Sequence, residues 1–383
     1  MKIALVIEQM DPARGGRETS TAQIAAALAR RGHEVTVLCQ QGRWECPGVE
    51  VRPLGRRGLS RTGRYRNFQA DVLRQIPRSS FDVVHAVTPV VGATVYQPRG
   101  GTAPGQAEAR RRRGRAAAFR EAVLGPLNVY RRELAGVERR LTADPAVTCL
   151  ALSRMVAQEF ERHFGRTRDV RVVYNGVDVP DVPAAQREQW RQEFRRSIGA
   201  GADDPVFLTV ARNFALKGVD EAMLNFMRWC DSRGGGGKAR LVVVGKSLVS
   251  IPHRSLAVQE IMDRIRMVPW SDDIFAWYSA ADVCLLLSWY DACSRVVLES
   301  VRWGLPAITT AYNGAAEALA EGAGRVVESP QDSPAILRAM AELADPARRQ
   351  QCRQACAAAA DRLSMDRHVE ELLAVYAQAG RTH

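Results

Sequence analysis

Asp291 and Glu299 bracket the segment Asp291-Ala-Cys-Ser-Arg-Val-Val-Leu-Glu299, in which a buried strand gives way to a helix beginning near Ser294. A helix start presents free backbone N–H groups and a partial positive charge, which suits a diphosphate. Glu299, in the second turn, can accept two hydrogen bonds from a ribose diol, and Asp291, ahead of the helix, can hold sugar hydroxyls. Taken alone, the pair also reads as a helix cap and a solvated helix residue. A second constellation, Ala211-Arg212-Asn213-Phe214-Ala215-Leu216-Lys217-Gly218, follows the apolar run Val206 to Val210. It puts two cations at the carboxyl end of a parallel strand, where open α/β sheets bind ligands. Arg212 and Lys217 can neutralise a diphosphate leaving group as its charge develops; alone, Lys217-Gly218 is a basic loop before a helix.

The elements that must carry these groups show an α/β rhythm. Lys2 to Ile7 reads as a buried parallel strand, Thr21 to Arg30 as an amphipathic helix stopped by Gly32, and Val35 to Leu38, Phe81 to Val87 and Val147 to Leu152 as further strands. Strands alternating with helices predict a doubly wound sheet. Asn175-Gly176-Val177-Asp178 and the stretch Pro180 to Pro183 mark an exit from this domain. The rhythm restarts with strands Val206 to Val210, Leu241 to Val244, Val283 to Leu287 and Ala307 to Thr310, separated by helices such as Val219 to Trp229 and Ser294 to Trp303. Gly234 to Gly237 reads as a surface loop, because Lys238 and Ala239 follow it instead of a helix start. The expectation is two Rossmann-like domains, 1–178 and 179–355, with a C-terminal helix in 356–383 packing back on the first.

Composition narrows the class. A chain of 383 residues exceeds what one hydrophobic core usually supports. Glu8 and Asp11 interrupt the apolar start too soon for a signal peptide or membrane helix, so a cytoplasmic location is expected. The eight cysteines contain no Cys-x-x-Cys pair, which argues against a zinc site or disulfide framework. Net charge is +12, but residues 1–175 hold 30 Lys plus Arg against 16 Asp plus Glu, while the remainder holds 24 against 26. Val51 to Arg66 and Gly101 to Arg140 concentrate the excess. They are candidate contacts for an anionic membrane surface, or a solvated face. No nucleic-acid-binding signature accompanies the charge.

Taken in order, Gly15-Gly16 after the first strand, Asn175-Gly-Val-Asp178, the Arg212 to Lys217 loop, the acid-x7-Glu motif and Asn313-Gly314-Ala-Ala-Glu317 resemble the retaining GT-B glycosyltransferases of family 4. Ala211 to Asp220 and Val95-Tyr96 look most like the lipopolysaccharide-core heptose glucosyltransferases. The resemblance implies two domains facing a cleft, donor on the second and acceptor on the first. It implies a donor such as UDP-glucose, with GDP-mannose open, no further cofactor, and a saccharide or glycolipid acceptor. Glu299 would bind the ribose, Asp291 the transferred sugar, and Arg212 and Lys217 the diphosphate, aided by the backbone N–H groups of Ser294, Arg295 and Val296. Met267, Val268, Pro269 and Trp270 would cradle the base, and Gly15 and Gly16 would admit the first domain's loop to sugar and phosphates.

Two positions depart from the family. Asp291 stands where glutamate is usual, one methylene shorter. In Asp82-Val-Val-His85-Ala-Val87, Val87 stands where many relatives place a sugar-contacting histidine. His85 then either lines the cleft, as a candidate catalytic group, or ends a strand as a satisfied histidine. With no Asp-x-Asp triplet, the expectation is a reaction without metal, in which the helix dipole, Arg212 and Lys217 stabilise the diphosphate. A related nucleotide-sugar epimerase and a non-catalytic nucleotide-sugar binder are the alternatives.

Overall fold

The computed structural model describes residues 1–76, 81–232, 236–245, 262–269, 271 and 273–379. The chain forms two compact units, Met1–Val177 with Ser364–His383, and Asp178–Leu363.

In the first unit the strands are β1 (Lys2–Val6), β2 (Gln9–Met10), β3 (Glu34–Cys39), β4 (Gln41–Gly42), β5 (Val49–Pro53), β6 (Val83–Ala86), β7 (Val95–Tyr96), β8 (Thr148–Ala151) and β9 (Val170–Val172). Seven of them make a parallel sheet in the order β5-β3-β1-β6-β7-β8-β9, while β2 and β4 pair separately. Strand β1 is central, with Leu5 opposite Val37 on one side and His85 on the other. Its residues after Lys2 are buried on both faces, which explains the continuous apolar run. Helix α1 (Gly16–Arg30) packs Ile24 and Leu28 onto that sheet.

Helix α2 (Arg61–Gln75) precedes β6, and the Arg-rich stretch Gly101 to Arg140 is built as three helices: α3 (Ala103–Arg112), α4 (Arg115–Leu124) and α5 (Val129–Ala143). Gly114, at φ +128°, ends the first of the three, and the Gly125-Pro126 turn separates the other two. Helix α6 (Arg154–Phe164) follows β8.

In the second unit, helix α7 (Ala184–Ser197) leads into β10 (Val206–Val210), the single turn α8 (Phe214–Lys217), α9 (Val219–Asp231), β11 (Arg240–Val244), β12 (Ile265–Val268), α10 (Ile274–Ala280), β13 (Val283–Leu286), α11 (Arg295–Arg302), β14 (Ala307–Thr310) and β15 (Gly324–Val327). All six strands are parallel, in the order β12-β11-β10-β13-β14-β15. Phe207, Leu241, Val243 and Leu285 meet Met223 and Phe226 of α9 in the core. Each such side chain contributes about 1.5–3 kcal/mol by leaving water. Asp282, which begins β13's approach, is buried and holds Arg191 at 2.9 Å, Arg195 at 3.0 Å and the Val206 N–H at 3.0 Å. Burial alone would raise its pKa; Arg191 and Arg195 overcome that and hold it below the usual carboxylate value.

Helices α12 (Ser333–Ala344) and α13 (Pro346–Ala359) cover the second unit, and α14 (Met365–Ala379) belongs to the first. The return therefore falls at Ser364 rather than at 356, because α13 packs on α11 and α12. The Asn175-Gly176 turn receives the returning chain. His368 Nδ1 meets the Tyr174 carbonyl at 2.7 Å, and Arg367 donates to the carbonyls of Tyr174 and Asn175 at 2.9 and 3.1 Å. A Cβ on Gly176 would lie 2.6 Å from the Ser364 carbonyl oxygen, so glycine permits the close approach.

Candidate functional site

In the second unit the chain builds β10, β11 and β12 outward in one direction, then crosses back to place β13, β14 and β15 on the other side of β10. The order reverses between β10 and β13, the kind of switch point at whose carboxyl end open α/β sheets hold ligands. The Arg212 to Gly218 loop leaves β10, and the Asp291 to Glu299 segment follows β13, so the two constellations read from the sequence meet there.

They meet through Lys217, which donates its ammonium to the Asp291 carboxylate; both side chains are largely buried. Asn213 caps α8 by accepting the Leu216 N–H at 3.1 Å, which fixes the turn carrying Lys217. Gly218 ends it at φ +63°, with an added Cβ placed 1.8 Å from the Leu287 carbonyl oxygen. Only glycine allows this turn to lie against the end of β13. Arg212 is exposed beyond β10.

The Asp291 backbone is itself held. Its N–H donates to the Tyr312 carbonyl and its carbonyl accepts the Gly314 N–H, each at 2.9 Å. Asn313 completes the link: its Oδ1 accepts the Ser294 N–H at 3.1 Å and the Ala315 N–H at 3.0 Å, while Nδ2 donates to Thr309 Oγ1 at 3.0 Å. The Ser294 N–H, expected to face a phosphate, is thus engaged by the Asn313 amide oxygen. Asn313 is a buried clamp that the sequence offered only as part of a motif.

Glu299 lies one turn into α11. Arg295 donates to its Oε1 at 2.8 Å and the Tyr278 hydroxyl to its Oε2 at 3.2 Å. Burial, then the nearby Glu299, pushes the Tyr278 phenol well above its usual value, so Tyr278 remains a donor. Each carboxylate oxygen keeps a second lone pair, enough for a diol. Tyr278, on α10, carried no motif that would have singled it out.

Of the four residues expected to cradle the base, two are strand residues. Met267 and Val268 lie inside β12 rather than after it, and Met267 packs against the core; Pro269 follows the strand, and Trp270 lies outside the described residues.

In the first unit Gly15, at φ +157°, precedes α1 and Gly16 begins it. His85 needs correction. It is fully buried one residue before the end of β6, its Nδ1 sharing a 2.6 Å hydrogen bond with the Tyr376 hydroxyl on α14. Burial, then the Arg99 guanidinium, lowers its pKa to about 3. A histidine without exposed surface cannot reach a sugar, so in this structure His85 packs α14 onto the sheet and leaves the catalytic set. Groups that the sequence did not single out lie at the carboxyl end of β1: Glu8 accepts the Tyr130 hydroxyl at 2.9 Å, and Arg61 sits 3.9 Å over the Tyr130 ring.

Two parallel α/β units, one with a cationic loop and two carboxylates at its switch point, define a GT-B glycosyltransferase architecture. The family comparisons agree on both halves: glycosyltransferase family 4 matches residues 14–180, and glycosyl transferases group 1 matches residues 191–359. The chain belongs to the GT-B glycosyltransferases. It is 27% identical to the D-inositol 3-phosphate glycosyltransferase of Xylanimonas cellulosilytica over 95% of this chain and 92% of that protein. It is 24% identical to the lipopolysaccharide glucosyltransferase WaaG of Escherichia coli over 82% of each. The crystal structure of WaaG, a glycosyltransferase involved in lipopolysaccharide biosynthesis, superposes with a TM-score of 0.77 at 20% identity, covering 97% of this chain and 98% of that one.

Proposed function

We propose that the protein is a retaining hexosyltransferase that works without a metal ion, moving glucose from UDP-glucose to a saccharide or glycolipid acceptor of the lipopolysaccharide type. The observation that carries this reading is the Lys217–Asp291 pair at the switch point, with Arg212 on the loop that carries Lys217 and Glu299 on the helix that follows Asp291. A donor diphosphate entering there would take Lys217 and Arg212 as counter-charges, freeing Asp291 for sugar hydroxyls. Glu299, held by Arg295 and Tyr278, would bind the ribose. The acceptor would bind the first unit. In the transfer the bond between the anomeric carbon and the phosphate oxygen breaks. The acceptor hydroxyl oxygen bonds to that carbon on the same face, and its proton passes to the departing phosphate, whose charge Lys217 and Arg212 stabilise.

The relatives favour glucose through the glucosyltransferase WaaG. The D-inositol 3-phosphate relative raises a small phosphorylated acceptor as a second reading. Among the described residues no helix is long and apolar enough to cross a membrane. Phe119, Leu124, Leu127 and Val129 are exposed on and after α4, among arginines, which supports peripheral contact with an anionic, cytoplasm-facing membrane surface.

The test is nucleotide release from UDP-glucose, UDP-galactose, UDP-N-acetylglucosamine and GDP-mannose, each with a lipid-sugar extract, beside a Glu299→Ala control. Release from UDP-glucose alone, dependent on extract and lost in the control, supports the reading. Release without extract would favour a hydrolase or epimerase, and saturable nucleotide binding without release would favour a binding protein.

A further inference from the structure

The first unit contains a cavity of about 480 Å³ at the carboxyl end of β1, between the starts of α1 and α2 and the helices α3 and α5. Six arginines line it: Arg17, Arg61, Arg110, Arg111, Arg131 and Arg132. Only two carboxylates, Glu8 and Glu121, accompany them. Glu121 is committed to two of the arginines, with Arg110 Nε at 2.9 Å from one oxygen and Arg131 Nη1 at 3.2 Å from the other. Glu8 is occupied by Tyr130 at 2.9 Å and Gln40 at 3.3 Å. Among the described residues, Arg111 and Arg132 meet no carboxylate in the ion pairs of the chain.

A concave wall with four more cations than anions focuses a positive potential into the space it encloses. Guanidinium groups bind phosphate through paired N–H donors, more favourably than they bind neutral hydroxyls. The volume suits a single sugar ring with one such group. Tyr130, Pro126 and Ala135 add an apolar wall for a ring face, and Glu8 and Gln106 add polar groups for hydroxyls.

We infer that this cavity is the subsite for a phosphorylated sugar, so that the acceptor carries a phosphate close to the hydroxyl that is glycosylated. This deepens the transferase reading and rests on it for the word acceptor. A lipid headgroup offers the same phosphate chemistry. The exposed apolar side chains suited to a bilayer, Phe119 and Leu127, lie outside the cavity lining, whereas the arginines lie within it.

The experiment is calorimetric titration of the full chain with glucose 6-phosphate, glucose and UDP, with inorganic phosphate as competitor, in wild type and the double variant Arg111→Gln/Arg132→Gln. Vesicles with and without phosphatidylglycerol form a separate arm. The expected result is at least tenfold tighter binding of glucose 6-phosphate than of glucose, competition by phosphate, weakening with added salt, and a tenfold or greater loss in the double variant with UDP binding unchanged. Equal binding of the phosphorylated and neutral sugars, or no effect of the double variant, overturns the inference. So does vesicle binding that depends on the two arginines without any binding of glucose 6-phosphate, which assigns them to a headgroup. Loss of UDP binding in wild type with glucose 6-phosphate retained strikes at the donor reading instead, and leaves the phosphate subsite standing.

Discussion

Lys217 and Asp291 are joined as an ion pair although 74 positions separate them, one on the loop leaving β10 and the other on the loop leaving β13. The pair spans the point where the strand order reverses, and each partner is held from its own side: Lys217 by the Asn213 cap, Asp291 by backbone bonds to Tyr312 and Gly314. Without a donor the two charges neutralise one another. With one bound, the lysine is expected to turn to phosphate and the aspartate to sugar. Lys217→Ala is therefore expected to lower transfer at saturating donor by about 100- to 1000-fold, the usual cost of removing one group that stabilises developing charge. Steady-state kcat beside a circular dichroism spectrum checks it, since an unchanged kcat in a folded variant removes Lys217 from the mechanism.

Tyr278 is expected to act through Glu299. Tyr278→Phe takes away one hydrogen bond to a carboxylate and should weaken UDP binding about tenfold, consistent with about 1.5 kcal/mol for a bond to a charged group. Glucose 6-phosphate binding, placed in the other unit, should not change. Calorimetry with both ligands separates this positioning effect from general damage.

Asp282→Ala should destabilise the second unit without touching the donor groups. It leaves the Val206 N–H without its acceptor and the buried Arg195 with backbone carbonyls but no counter-charge, and breaking one partner of a buried ion pair typically costs about 3–5 kcal/mol. Urea unfolding followed by tryptophan fluorescence reads this directly; a loss under 1 kcal/mol would mean that Arg191 and Arg195 find other partners.

The pH dependence of stability follows from the polar core of the first unit. Burial, then Arg99, lowers His85 to about 3 and holds His368 well below its usual 6.5. Both bind protons more readily when unfolded, so their stabilising effect is complete above pH 6.5 and is lost as pH falls towards the folded values. Each contributes a slope of about 1.4 kcal/mol per pH unit inside that window. Glu138 opposes them. Burial raises it to about 7 even though it accepts the Tyr96 hydroxyl, so its effect is complete below pH 4.5 and is lost as pH rises through 7. Two histidines outweigh one carboxyl, and thermal stability should rise between pH 4.5 and 6.5. Glu138→Gln should steepen that rise and His85→Phe should flatten it; melting curves at four pH values decide.

The donor-side groups were legible because they follow buried strands. Val206 to Val210 and Val283 to Leu286 are apolar on both faces, and whatever follows such a strand lies at the ligand edge of the sheet. The strands that do not read as buried runs are β2, β4 and the interior β7, each only two residues long, and the four at the sheet edges. In β5, β9, β12 and β15 an arginine interrupts the apolar residues, at Arg52, Arg171, Arg266 and Arg325, so these strands do not read as buried runs; charge on an edge also discourages pairing with another chain. The clamp from Asn313 to Ser294 was hidden for a different reason. It joins loops of two neighbouring strands, and register across a sheet is not written in local periodicity. The arginine cavity needed the faces of four separate helices to be brought together, so the sequence showed its charge without its concavity. The two readings of His85 could not be told apart in the sequence, because position near a strand end says nothing about the helix that covers it, here α14 from the far end of the chain.

The most direct test of the central claim is the anomeric configuration of the glucose transferred from UDP-glucose, read by proton NMR on the isolated product of wild-type protein with its lipid-sugar extract. The account predicts an α-linked glucose, with the configuration of the donor kept, and no product from Glu299→Ala. A β-linked product would contradict the same-face mechanism, and free glucose released regardless of extract would contradict the transferase itself.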